Sequence, residues 1–157
     1  MTKAGIYIHI PFCKHKCIYC DFYSMEKREK DMPRFVNMLI REIELTAEDY
    51  NGDWMFDTIF FGGGTPSIME PQWLTKILHA LDRAFDISSV MEITLEANPG
   101  TTEQQRFIGY REAGINRLSL GVQSFRPTQL SALGRIHTGN EAVTAIGEAR
   151  AAGFDNL

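Results

Sequence analysis

Residues 57–66 read DTIFFGGGTP, an apolar run that ends abruptly in three glycines, a threonine and a proline. Residues 57–61 have the composition of a buried β-strand, and Pro71 opens a run of apolar residues with helical spacing. This order predicts one β-α unit of a parallel sheet. The glycines would let the backbone pass close to a ligand and turn its N–H groups inward. A tight turn that needs positive φ explains them equally well.

The same alternation of strand and helix patterns continues on both sides of this segment. Strands are predicted at 5–10, 91–97 and 117–122, and helices at 31 onward, 102–113 and 140–152, with a short turn or helix at Pro127. The predicted fold class is therefore α/β with parallel strands. Residues 113–118 (AGINRL) resemble residues 152–157 (AGFDNL), so a fifth strand is expected to begin near Leu157. We expect a fragment with about four β-α units.

Composition and charge limit the kinds of function that this chain is expected to have. The 157 residues are 44% hydrophobic and 23% charged, which suits one globular domain. The formal net charge of −4, without a dense basic run, argues against nucleic-acid binding. No run of about 18 apolar residues and no signal-peptide cleavage site are present, so a cytoplasmic protein is expected.

The three cysteines all lie between positions 13 and 20, in the spacing Cys13-x3-Cys17-x2-Cys20. An odd count in one short stretch does not suit a disulfide framework. The spacing favours three thiolates that bind an iron–sulfur cluster and leave one iron open. Two alternatives remain from spacing alone: a zinc site completed by His9 or His15, or three buried thiols, which a shared helical face of the cysteines would favour slightly.

Polar residues follow two of the predicted strands. Glu96 and Asn98 end one strand, and Gln123 and Ser124 end the next. Because ligands bind at the carboxyl ends of parallel strands, we expect these side chains to converge beside the cysteines. The alternative for each of them is that a polar residue simply marks the point where a buried strand becomes an exposed loop. Arg135 could bind a carboxylate or lie on the surface.

Several motifs together resemble one known family. They are YIHIPF at 7–12, the cysteine motif with Tyr19 before its last cysteine, GGGTP at 62–66, EANP at 96–99 and LGVQSF at 120–125. The chain resembles radical S-adenosylmethionine proteins over residues 5–157. Within that family it is similar to the branch that contains oxygen-independent coproporphyrinogen III oxidase and its haem-chaperone relative.

The resemblance implies a fold, two cofactors and a set of contacts. It implies a partial (β/α) barrel, with residues 1–157 as the N-terminal part of a core domain that continues beyond the chain end. It implies a 4Fe-4S cluster bound by Cys13, Cys17 and Cys20. It also implies contacts with S-adenosylmethionine from Tyr7, Tyr19, Gly63, Gly64, Thr65, Glu96, Gln123 and Arg135.

Phe22 separates the two members of this branch. The oxidase pattern has a further cysteine two residues after the third ligand, where this sequence has Phe22. The resemblance therefore favours the haem chaperone, with haem as cargo, and the oxidase is the alternative. Whether the protein is an enzyme stays open. The implied partners are S-adenosylmethionine, haem or a porphyrinogen, an acceptor haemoprotein and a peripheral membrane contact, without nucleic acid.

Overall fold

The described part of the molecule has a four-stranded parallel sheet, a separate two-stranded sheet and helices that follow the long strands along the chain. The computed structural model describes residues 2–50, 54–100 and 104–157. The elements are β1 (Thr2–Ile10), β2 (Phe12–Cys13), β3 (Met25–Glu26), α1 (Met32–Ala47), β4 (Trp54–Gly63), α2 (Pro71–Ala84), β5 (Glu92–Ala97), α3 (Gln104–Glu112), β6 (Arg117–Leu120), α4 (Pro127–Ala132) and α5 (Gly139–Ala151).

The main sheet has the order β1-β4-β5-β6, and each neighbouring pair is parallel. The four long strands therefore lie in the sheet in the same order as they occur along the chain, as in the wall of a barrel. The predicted parallel α/β architecture is confirmed. The carboxyl ends of these strands lie at the same edge of the sheet, which brings the loops after them together.

The two faces of the sheet have different chemistry because side chains alternate along each strand. Ile8 and Ile10 of β1 and Phe61 of β4 are buried in the core with apolar residues of the helices, such as Leu74 and Ile77. Full burial of such a side chain contributes about 1.5–3 kcal/mol. The opposite face carries residues paired across the strands in register: Tyr7, His9, Phe60, Gly62, Thr94, Glu96, Arg117 and Ser119.

The helices predicted from residue 31 onward and from Pro71 begin where the sequence places them. Asp31 occupies the N-cap position of α1, and Pro33 lies in the first helical turn, where the fixed φ of proline suits a helix. The Asp31 side chain does not cap the helix; its Oδ2 pairs with Arg28 Nε at 2.5 Å instead. Thr138 before α5 does cap its helix, in a reciprocal arrangement with Glu141. The predicted beginning of the third helix at Thr102 lies outside the described residues.

β6 is shorter than predicted and ends at Leu120. Beyond it the Gly121 N–H still donates to the Ala97 carbonyl at 2.8 Å, but Gln123 has a positive φ of 66° and the chain turns away. The carbonyls of Gly121 and Val122 are bonded by Arg135 and His137 instead of by a neighbouring strand. Long-range side-chain contacts thus replace the last two residues of the predicted strand.

The predicted fifth strand begins near the end of the chain. Asn156 forms a parallel bridge with Arg117, and its carbonyl accepts a hydrogen bond from the Leu118 N–H at 3.1 Å. The second copy of the AGINRL-like repeat therefore approaches the outer edge of β6, as the sequence predicts. Among the described residues, no helix is both long and apolar enough to cross a bilayer.

Candidate functional site

A cavity of about 280 Å³ lies at the carboxyl ends of the strands, between the cysteine segment and the loops after β4, β5 and β6. All three cysteines line it. Seven of the eight residues expected to contact S-adenosylmethionine also line it: Tyr19, Gly63, Gly64, Thr65, Glu96, Gln123 and Arg135. The structure thus brings together residues that are up to 122 positions apart, from Cys13 to Arg135. Their roles as ligand contacts stay predictions.

The cysteine segment is a closed loop rather than a helix. β2 and β3 pair side by side and hold the two ends of the loop together. Inside the loop the Cys20 N–H donates to the Cys17 carbonyl at 3.0 Å, and the Glu26 side chain accepts from the backbone N–H of Lys16. The shared helical face that slightly favoured buried thiols is therefore not present. Cys13 is 6% exposed, whereas Cys17 and Cys20 are half-buried.

Two of the thiols have hydrogen-bond donors from distant parts of the chain. The Thr65 hydroxyl lies 3.7 Å from Cys13 Sγ, and Arg135 Nη1 lies 3.2 Å from Cys17 Sγ. Hydrogen bonds to cysteine sulfurs of this kind are among the interactions that tune a bound iron–sulfur cluster. No local pattern indicates that Arg135 reaches a cysteine 118 positions away.

The three cysteines suit the ligand set of an iron–sulfur cluster. Thiolates that share one tetrahedral zinc lie about 4 Å apart. In residues 2–50, 54–100 and 104–157, no three His, Cys, Asp or Glu side chains are grouped closely enough to hold one ion. The cysteines of a cubane cluster each bind a different iron, so their sulfurs need only face a common space. Cys13, Cys17 and Cys20 do face one cavity.

The glycine turn packs closely against the first cysteine. Gly63 has φ of +111°, and a Cβ at Gly64 would lie 2.5 Å from the Phe12 carbonyl oxygen and 3.0 Å from Cys13 Sγ. The N–H groups of Gly63, Gly64 and Thr65 donate to Glu96 Oε2, Ile10 O and Phe12 O. These N–H groups thus have acceptors within the protein, as the tight-turn alternative expects, and a contact of the glycines with a ligand stays a prediction. The loop places its backbone directly against the first cysteine.

Glu96 is the acidic group of the cavity. It is half-buried, and its Oε2 accepts a hydrogen bond from the Gly63 N–H at 3.1 Å. Burial raises the pKa of this carboxyl above its usual value, while the Gly63 hydrogen bond and the nearby His9 act in the opposite direction. Glu96 is thus a carboxylate held in place at the strand end, where it can accept hydrogen bonds from a bound amine or hydroxyl.

We expect the Glu96→Gln chain to be more stable than the wild type at neutral pH, with a smaller difference at about pH 4. Because the folded pKa of Glu96 is raised, its contribution to stability is present below the unfolded pKa. That contribution is lost as the pH rises through the folded pKa. Glutamine keeps an oxygen for the Gly63 N–H and does not titrate. Urea unfolding of the metal-free chain at the two pH values measures the difference.

Glu141→Gln is the matched control because the pKa of Glu141 is shifted in the opposite direction from that of Glu96. Hydrogen bonds from the Thr138 backbone and side chain lower the pKa of Glu141, so its contribution is present above the unfolded pKa and is lost as the pH falls through the folded one. The Glu141→Gln chain should be less stable than the wild type at neutral pH. Equal stability of the Glu96→Gln chain and the wild type at both pH values would contradict the assigned environment of Glu96.

Tyr7 is the one predicted contact that does not line the cavity. Its ring is 56% exposed and stacks on Phe60, and its hydroxyl lies 3.2 Å from His9 Nδ1. Burial, and then the charge of Glu96, raise the pKa of Tyr7. Tyr7 therefore stands beside the cavity on the same face of the sheet. Tyr19 does line the cavity, and burial raises the pKa of its hydroxyl.

Sequence reasoning missed the contacts that three residues make at this site. Its position after a strand predicts Asn98 beside the cysteines, but not that Asn98 contacts both Thr65 and Arg135. His9 holds the cysteine loop by bonding the Tyr23 carbonyl at 2.8 Å. His137, which had no identifiable partner in the sequence, is 3% exposed and its Nε2 bonds the Val122 carbonyl at 3.0 Å. These contacts join segments too distant in sequence for spacing to reveal.

Comparisons with known proteins agree on one family. Residues 7–157 match the Radical SAM superfamily. The chain is 40% identical to "Heme chaperone HemW" of Haemophilus influenzae, covering 100% of this chain and 42% of that protein. It is 42% identical to "Heme chaperone HemW" of Escherichia coli, covering 92% and 38% respectively. This chain thus spans about two fifths of the length of these curated relatives.

A solved structure gives the same assignment. It is described as "Coproporphyrinogen III oxidase (HemN) from Escherichia coli is a Radical SAM enzyme", and the two folds agree with a TM-score of 0.84. The sequences are 26% identical, and the match covers 96% of this chain and 35% of that one. This similarity confirms the predicted fold type. With the match over residues 7–157, it establishes that the chain belongs to the radical SAM superfamily.

Proposed function

We propose that the protein containing this chain is a radical SAM haem chaperone, which binds haem as cargo and delivers it to an acceptor haemoprotein. The observation that carries this proposal is Phe22 at the mouth of the cysteine cavity. Phe22 lines that cavity and is 62% exposed, at the position where the oxidase pattern has a cysteine. The names of the relatives at 40% and 42% identity support the same function.

The cavity residues have distinct roles in this proposal. Cys13, Cys17 and Cys20 would hold a 4Fe-4S cluster, and the cavity that they line would accept S-adenosylmethionine. When bound, the reduced cluster supplies one electron for cleavage of the sulfonium. Glu96 accepts hydrogen bonds from the bound cofactor, Thr65 and Arg135 donate to the cysteine sulfurs, and Gln123 closes the strand-end side of the cavity. Tyr19 lies in the loop between Cys17 and Cys20 and lines the cavity.

Phe22 makes oxidase chemistry at this position unavailable. Phenylalanine has no donor, acceptor or thiol, so whatever a cysteine would contribute here is lost. Phe22 does not cover a closed core, since more than half of its side chain faces solvent. An exposed aromatic ring beside the cluster loop suits contact with a flat apolar ligand such as haem.

Coproporphyrinogen oxidation is the second candidate, and a specific observation favours it. The fold matches the coproporphyrinogen III oxidase structure with a TM-score of 0.84. The two proteins share only 26% of their residues in the matched region, against 40% for the haem chaperone of Haemophilus influenzae. Fold similarity alone does not transfer a reaction.

The two candidates predict different products from one anaerobic assay of the full-length protein. We expect haem binding, haem transfer to an apo-haemoprotein and no decarboxylation of coproporphyrinogen III in the presence of reductant and S-adenosylmethionine. Protoporphyrinogen formed over many turnovers would overturn the proposal. The Phe22→Cys protein tests the residue itself, because a gain of decarboxylation would place the difference between the two activities at this position.

Tyr23→Cys is the matched control for that variant. Tyr23 is the next residue, is 75% exposed, and receives the same thiol without occupying the position of the oxidase cysteine. An equal gain of activity in both variants would show that any added thiol near the loop suffices. A gain in the Phe22→Cys protein alone would tie the effect to that position.

A further inference from the structure

A continuous chain of hydrogen bonds joins two of the three cysteines through the rim of the cavity. Arg135 Nη1 lies 3.2 Å from Cys17 Sγ, and Arg135 Nη2 donates to Asn98 Oδ1 at 2.7 Å. Asn98 Nδ2 donates to Thr65 Oγ1 at 3.0 Å. The Thr65 hydroxyl then lies 3.7 Å from Cys13 Sγ. Asn98 is the central member of this chain.

In this series of hydrogen bonds, each group donates in the direction that leads to a cysteine sulfur. The guanidinium of Arg135 donates to Cys17 and to the oxygen of Asn98, the nitrogen of Asn98 donates to Thr65, and Thr65 donates to Cys13. Hydrogen bonds aligned in one direction polarise one another, so a cation at one end strengthens the donor at the other. The amide of Asn98 therefore carries the influence of Arg135 to Cys13.

The surrounding backbone is shaped to hold this amide. A Cβ at Gly121 would lie 2.4 Å from Asn98 Oδ1, so only glycine leaves room for the Asn98 side chain. The Gly121 carbonyl accepts a second bond from Arg135 Nη2 at 2.7 Å. Thr65 is 3% exposed, and its N–H is bonded to the Phe12 carbonyl at 2.7 Å. The Thr65 backbone is thus held independently of Asn98, which leaves the direction of the Thr65 hydroxyl to the Asn98 amide.

We propose that Asn98 is a positioning residue that sets the hydrogen bonds to the cluster ligands Cys13 and Cys17. It orients the Thr65 hydroxyl towards one sulfur and the Arg135 guanidinium towards the other. This inference rests on the cluster site of the proposed function, and it does not depend on haem. Hydrogen bonds to the sulfurs of a cluster raise its reduction potential, so Asn98 would make the cluster easier to reduce.

Asn116 provides a matched control in the same sheet. It bonds the Ile93 N–H at 2.7 Å and the Met91 carbonyl at 2.8 Å, near the amino end of β5, at the opposite end of that strand from Asn98. Replacing either asparagine with alanine removes a side-chain amide whose nitrogen donates one, and whose oxygen accepts one, of the hydrogen bonds given above. Only Asn98 is connected to cysteine, so destabilisation common to both variants cannot imitate an effect on the cluster.

The experiment compares wild-type, Asn98→Ala and Asn116→Ala full-length proteins after anaerobic cluster reconstitution. We expect Asn98→Ala to retain iron but to have a more negative midpoint potential, measured by redox titration of the cluster's electron paramagnetic resonance signal. The affinity for S-adenosylmethionine should fall about tenfold, because the guanidinium of Arg135 loses its hydrogen bond to the Asn98 oxygen. Asn116→Ala should match the wild type in both measurements, even where both variants unfold at lower urea.

A double-mutant cycle with Thr65→Val tests the path to Cys13. Valine removes the hydroxyl while keeping the branched shape of the side chain. If Asn98 acts partly through Thr65, the shift caused by Asn98→Ala should be smaller in the Thr65→Val background than in the wild type. The part of the shift in midpoint potential that persists in the Thr65→Val background would come from the altered hydrogen bonds of Arg135.

Each outcome bears on a separate claim. An unchanged midpoint potential in Asn98→Ala, or a shift of the same size in Asn116→Ala, would overturn the inference while leaving the cluster site intact. Full additivity with Thr65→Val would also overturn it, since Asn98 would then act independently of Thr65. A wild-type protein that binds no cluster would overturn both the inference and the cofactor assignment of the proposed function.

Discussion

Replacement of Cys17 by serine should abolish stable cluster binding. The wild-type chain is expected to take up about four irons after anaerobic reconstitution, and the Cys17→Ser chain almost none. Only three cysteines occur in the whole sequence, so no other thiol can take the place of Cys17. A serine hydroxyl at neutral pH is a poor ligand for iron, and the cavity would retain only Cys13 and Cys20. Iron content and visible absorption measure the effect.

His79→Ser is the control for nonspecific iron uptake. His79 is exposed on α2, away from the cavity lining, so its loss removes a surface metal ligand without touching the cysteines. This variant should bind as much iron as the wild type. Full iron content and an unchanged absorption band in the Cys17→Ser chain would show that the cysteines do not hold the cluster.

Gly64→Ala should be the most damaging change of a single methyl group. The added Cβ would lie 2.5 Å from the Phe12 carbonyl oxygen and 3.0 Å from Cys13 Sγ, and the first of these contacts is with backbone. Forcing β2 away from the glycine turn would break the bond from Thr65 N–H to Phe12 O and displace Cys13. We expect a loss of about 3 kcal/mol in the free energy of unfolding and little retained cluster.

Gly147→Ala is the matched control for this substitution. A Cβ at Gly147 meets no atom within 4 Å, and the residue lies within α5. Alanine favours a helix over glycine by about 1 kcal/mol, so this chain should gain stability and keep its cluster. Urea unfolding and iron content separate the two variants. Normal iron content in Gly64→Ala would mean that the packing of the glycine turn against Cys13 is not needed.

The parts of the fold that depend on local pattern could be predicted from the sequence. The apolar run at 57–61 marks a strand, which the structure extends to Trp54–Gly63 because parallel pairing with β1 stabilises both ends. Pro71 marks the start of α2, where proline's fixed φ suits the first helical turn. Strand–helix alternation then determines the parallel sheet, and the loops after its strands determine where the cavity lies.

Features that depend on long-range contacts could not be predicted. Arg135 reaches Cys17 across 118 positions, and Asn98 reaches Thr65 across 33. No local pattern records such pairs. The end of β6 was placed too late because the carbonyls of Gly121 and Val122 are bonded by side chains that come later in the sequence.

The cysteine spacing is the clearest case of a pattern that local reasoning misreads. Cys13, Cys17 and Cys20 have the spacing of a helical face, but pairing of β2 with β3 forces the segment into a loop. Only that loop turns all three sulfurs towards one cavity. The resemblance to a known family implies that the cysteines are the ligands, and the geometry shows how the chain presents them to the cavity.

The central claim is that the three cysteines hold a cluster with one iron open to S-adenosylmethionine. The most direct test is the electron paramagnetic resonance spectrum of the reduced, reconstituted wild-type protein, recorded with and without S-adenosylmethionine. The account predicts about four irons and a cluster signal whose shape changes when S-adenosylmethionine is added. A colourless protein that binds one zinc, or a cluster signal unaffected by S-adenosylmethionine, would contradict it.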